Sequence, residues 1–94
     1  MAEIHVERTG STDEGARFHV VVREGDSSTE HQVTASSDEL DRLASTYASA
    51  EAFVEACFAF LLDREPKESI LPSFDVAVIG AYFPEFERTI SREG

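Results

Sequence analysis

The chain has no tryptophan, one cysteine, three prolines, and only eight basic residues against nineteen acidic ones. Each shortage excludes something. A single cysteine, Cys57, rules out an intramolecular disulfide. It stands in the most apolar stretch, VEACFAFLL, and a free thiol in such a setting suits a reducing compartment. The shortage of lysine and arginine leaves a net charge of −11. Nucleic-acid affinity rests mainly on cations that neutralise phosphates, so direct DNA or RNA binding is disfavoured. An anionic membrane surface is disfavoured for the same reason. No apolar run is long enough to span a bilayer, the longest being Ala56 to Leu62. The opening MAEIHVERTG has neither a basic n-region nor an apolar h-region, so a cytoplasmic protein is expected. Glycine-rich phosphate loops, Ser-His-Asp order and paired catalytic carboxylates are also missing, and no cofactor is implied. These shortages lean away from an enzyme; the charge fits a basic protein partner, or simple solubility.

What is present is enough for one core. Ninety-four residues, 41% hydrophobic, predict a single domain over 1–94, with a β-meander at about 3–35 and a helical layer at about 37–91. Ile4 and Val6 alternate with His5 and Glu7, which reads as a half-buried strand from Ile4 to Thr9. Gly10 to Gly15 is a turn cluster. Ala16 to Glu24 places Phe18, Val20 and Val22 on one face, and Thr29 to Ala35 places His31, Val33 and Ala35 on one face. Pairing Ile4 with Val20, and Val20 with Val33 across a loop at Asp26-Ser27, keeps the apolar faces together. It also opposes Glu7 to Arg17, Arg23 to Glu30 and His5 to His19.

Helical signals follow. Ser36 and Glu39 form a capping box, and Leu40, Leu43, Ala44 and Tyr47 recur at helical spacing. Ser49 is a second N-cap for a helix running to about Arg64 and stopping before Pro66. That helix is apolar nearly all round, so it must be covered on two sides. Ser73 to Tyr82 is read as a further helix, N-capped by Ser73 or Asp75, because Phe74, Val78 and Tyr82 align at i, i+4 and i+8; a strand is the alternative. Pro84 suits the first turn of a last helix ending near Ser91. The expected fold class is α+β: a three-stranded antiparallel meander with three to four helices on one face.

The C-terminal third carries the pattern Phe60-Leu61-Leu62, Arg64 to Leu71, Phe74-Asp75, Val78-Ile79 and Tyr82 to Glu87. In this it resembles a small family of uncharacterised bacterial proteins that ends in FLLxREPKESILxxFDxxVIxxYFPEFExxI. The resemblance covers about a third of the chain and implies no activity, ligand or site residue.

Four features are candidates for chemistry. His5 and His19, with Glu7 close by, could ligate a divalent metal, though flat exposed strands make a poor cage. Cys57 has the surroundings of a buried structural thiol. Arg64 and Lys67 stand among three acidic residues, Asp63, Glu65 and Glu68, at a helix end, where they could dock an anion or a partner or simply compensate the break. Six of the seven phenylalanines lie at or after Phe53; some of Phe58, Phe60, Phe83 and Phe86 are candidates for a surface that a second copy in a homodimer would bury, and Phe83 and Phe86 for one that a partner would bury. The function expected is a non-enzymatic cytosolic protein-interaction module using this C-terminal segment. The alternative is a small enzyme or metal-binding protein built on His5, His19 and nearby carboxylates.

Overall fold

The computed structural model of the chain describes residues 2–93. It is an α+β fold in which three long antiparallel strands, β1 (Glu3–Thr12), β2 (Gly15–Glu24) and β3 (Ser27–Ser36), form a meander. Helices α1 (Ser37–Leu43) and α2 (Ala50–Leu62) follow, then a 3₁₀ turn at Lys67–Ser69. A short fourth strand, β4 (Ser73–Asp75), precedes helices α3 (Val76–Tyr82) and α4 (Phe86–Glu93).

The faces match the sequence, but the registers differ by two residues. Ile4 pairs with Val22 and Val6 with Val20, so His5 lies opposite Val21 and Glu7 opposite His19. In the second hairpin Val20 pairs with His31 and Arg23 with Ser28. The cause is turn placement. The loop is Gly25-Asp26, one residue earlier than expected, and moving a two-residue loop by one shifts every pair by two. Gly25 takes φ +61°, the conformation that a first hairpin-turn position demands. In the first hairpin, β1 runs through the supposed turn cluster to Thr12, with a bulge between Arg8 and Gly10, and only Asp13-Glu14 turn. A slip of two keeps each side chain on its own face, so the apolar pattern tolerates either register.

Ser73–Asp75 is the second correction. It is strand, paired parallel to Gln32–Thr34, so the sheet has order β1-β2-β3-β4. Asp75 then caps α3, accepting from the Ala77 N–H at 3.0 Å. Ser36 and Glu39 make both bonds of the capping box, and Ser49 caps α2.

The core lies between the sheet and the helical layer. Phe18, Val20, Val22 and Val33 meet Phe53, Val54, Cys57 and Phe58, all fully buried. Helix α2 is covered twice. Phe58 faces the sheet side, its ring 5.2 Å from that of His31 and 5.9 Å from that of Phe74. Phe60 points the other way, meeting Phe83 at 5.8 Å and Phe86 at 5.1 Å in edge-to-face contacts. The Tyr47 hydroxyl donates to the Ile90 carbonyl at 2.7 Å and ties α4 down. No helix among the described residues is long and apolar enough to cross a membrane.

Candidate docking groove

The sequence of α3 carries two apolar stripes. Val76 and Ile79, three apart, are buried against the core. Val78 and Tyr82, four apart, form a second stripe on a different face. This second stripe was expected to be core, aligned with Phe74. Instead it forms one wall of a groove of about 370 Å³. The end of α2 and the loop after it add Leu61, Glu65, Ile70 and Leu71 to the lining. Phe83 and Phe74 complete the lining. Leu71 is 45% exposed and Tyr82 69% exposed, the two large hydrophobic side chains that stand out in solvent among the described residues.

Two features hold Leu71 in place. Ser69 and Ile70 donate to the carbonyls of Pro66 and Lys67, closing the 3₁₀ turn. His31 then holds the chain from below. Its Nδ1 lies 2.8 Å from the Leu71 carbonyl and its Nε2 lies 2.8 Å from the Thr29 hydroxyl. A carbonyl only accepts, so Nδ1 carries the proton, and in the neutral ring Nε2 accepts from Thr29. The ring is 2% exposed and fully satisfied. It lies on β3 next to the β4 pairing, where the Gln32 N–H donates to the Pro72 carbonyl and Ser73–Asp75 extend the sheet.

Both cations of the break are engaged within the chain, Lys67 buried and Arg64 still exposed. The Arg64 guanidinium sits 3.6 Å over the Phe60 ring, donates to the Phe60 carbonyl at 3.1 Å, and pairs with Glu85 at 3.3 Å. It therefore satisfies the open end of α2 and fastens it to the Pro84-Glu85 turn. Lys67 is 3% exposed. Its ammonium bonds Glu68 at 2.7 Å and reaches Glu24 at 3.5 Å, and the Glu68 bond holds it above its ordinary range against the pull of desolvation. Phe86 is 1% exposed and belongs to the core. Of the four residues singled out in this segment, only Phe83 lines the groove. Glu65 is the one charged residue among the described lining, and it makes no ion pair among the described residues.

The histidine pair is not brought together. His5 is exposed opposite Val21, while His19 turns to Glu30 at 2.9 Å. Among the described residues no three His, Cys, Asp or Glu side chains converge as a metal site would require. The Cys57 thiol is buried, and burial pushes it far above the range in which a thiolate forms. A second, smaller depression of about 250 Å³ lies near the β1–β2 turn, with Arg17, Thr34 and Asp75 in its lining. There Asp75 is already engaged, by the Thr34 hydroxyl at 2.7 Å and by the α3 cap.

Leu71 and Tyr82 were the residues that sequence reasoning missed. Leu71 stood between an apolar neighbour and Pro72, with no period to mark its face. Tyr82 was absorbed into a helical stripe that begins one element too early. What the groove offers chemically is apolar contact: fully burying a Leu-sized side chain is worth about 1.5–3 kcal/mol. Compared with known proteins, the chain matches no family model, no curated protein and no solved structure.

Proposed function

We propose that the chain is a non-enzymatic cytosolic module that docks a protein partner through the groove between the end of α2, the Ile70-Leu71 loop and α3. One observation carries this reading. Leu71 and Tyr82, both exposed, line one largely apolar groove together with the buried Leu61, Ile70 and Ile79, although the same chain buries Phe53, Phe58 and Phe86 completely. Exposed apolar side chains gathered around a groove, rather than scattered singly, mark interaction surfaces. The buried free thiol suits a reducing cytosol. The proposal extends to the uncharacterised bacterial family that the C-terminal motif resembles, since Leu61, Glu65, Leu71, Val78, Tyr82 and Phe83 are all motif positions.

A photo-crosslinking amino acid placed at Tyr82, with one at exposed Gln32 on the sheet as control, tests the reading in the native cytosol. The expected result is a discrete protein adduct from position 82 that Leu71→Asp abolishes and that position 32 does not give. Equal labelling from both positions, or no adduct from 82, contradicts it.

A further inference from the structure

We infer that the partner segment is basic and amphipathic: a short stretch with apolar anchors for the groove and a Lys or Arg placed for Glu65. This rests on the docking reading above and names the chemistry of its occupant. Three observations about charge converge. Glu65 is the one charged side chain in the described lining and has no ion pair among the described residues. The two cations nearest to it in sequence are committed elsewhere, Arg64 to Phe60 and Glu85, Lys67 to Glu68 and Glu24. The whole chain carries −11, so the long-range field draws cationic segments and repels acidic ones.

The same observations weigh against a second copy as the occupant. A twofold pairing uses the same patch on both chains. It would bring two unpaired Glu65 carboxylates into one desolvated interface, with no cation in the lining to offset them, between bodies each carrying −11. A partner with a cation beside its apolar anchors meets neither cost.

The test uses two synthetic peptides of about three helical turns with the same Leu and Phe anchors. They differ only in Lys against Glu at the flanking positions. Fluorescence anisotropy against the full chain reads their affinities. The expected result is saturable binding of the Lys peptide, at least about tenfold tighter than the Glu peptide in low salt, narrowing as salt screens the charges. Glu65→Lys is expected to cancel most of that preference. Leu71→Asp and, separately, Tyr82→Asp are expected to abolish binding; both positions are exposed, so each variant should keep its melting transition. Equal affinity for both peptides, with Leu71→Asp still blocking, overturns the basic-partner inference and leaves the docking reading standing. The same holds if the chain proves to be a dimer joined through the groove. Binding of neither peptide overturns the inference, and the crosslink from position 82 then decides separately whether the groove docks anything.

Discussion

At the scale of single residues, two positions carry more of the fold than their size suggests. Gly15 lets β2 start against the backbone of β3. A Cβ there would stand 2.1 Å from the Ala35 carbonyl oxygen and 2.8 Å from the Ser36 Cα, both backbone atoms that cannot swing away. Gly15→Ala should therefore destabilise the protein by about 2 kcal/mol or more. In a domain of this size that lowers the thermal midpoint by about 8–16 °C. Gly25→Ala, with open space around it, should cost less and act only through its positive φ. The second position is Glu39. Burial, with the neighbouring Asp75 carboxylate adding to it, raises its carboxyl above the ordinary range despite the Ser36 bonds that oppose this. In the window between the ordinary and the raised value, the folded chain binds more protons than the unfolded one. Stability is thus fully present below that window and falls as pH rises through it. A glutamine can still accept the Ser36 N–H bond now made at 2.8 Å. Glu39→Gln should therefore raise the melting temperature at neutral pH, with the gain shrinking in acid. Glu39→Ala should lose about 1 kcal/mol with the cap. Both are read by thermal melts across pH.

At the scale of elements, the sequence marks type more firmly than partner. The capping box at Ser36 and the caps at Ser49 and Asp75 are local, each written within three residues; Ser36 and Ser49 cap as expected, and of the two caps offered for the third helix, Ser73 and Asp75, it is Asp75 that is made. Strand faces were legible because Phe18, Val20 and Val22 recur at every second position, although Val21 between them is apolar too. Register was not. The expected charge pairs, Glu7 with Arg17 and Arg23 with Glu30, were internally consistent, yet registers two apart expose the same faces. The choice fell to a single turn glycine and to the bulge after Arg8, whose signals span one residue each. The strand Ser73–Asp75 was illegible for a related reason. Three residues carry no period, and its partner lies about forty positions back in β3. Asp75 stands where the strand hands over to α3. Asp75→Ala removes both the cap and the Thr34 bond and should cost about 1–2 kcal/mol, while Asp75→Asn, a good N-cap, should keep most of the stability. Denaturant melts of the two variants separate the cap from the strand.

At the scale of the whole molecule, the sequence announced its division of labour and misplaced one part of it. A doubly covered α2 was legible from its apolar circumference, and Phe58 and Phe60 meet opposite layers as that required. The surplus apolar surface was legible too, but not its address. Phe58, Phe60 and Phe86 were candidates for it and all are enclosed, because a surplus inferred from composition says nothing about which side chains the last helices bury. The groove emerges only once β4 has pulled Phe74 out of the helical stripe, leaving Val78 and Tyr82 on the open side. With −11 on every copy, the isolated chain should scatter light as a monomer of 10.4 kDa, most clearly at low salt. Amide chemical-shift mapping of the labelled protein, titrated with the Lys-flanked peptide, tests the central claim most directly. The account predicts saturating shifts confined to Glu65, Leu71, Val78, Tyr82, Phe83 and their neighbours; shifts centred on the open sheet face or the β1 edge, with the groove silent, would contradict it.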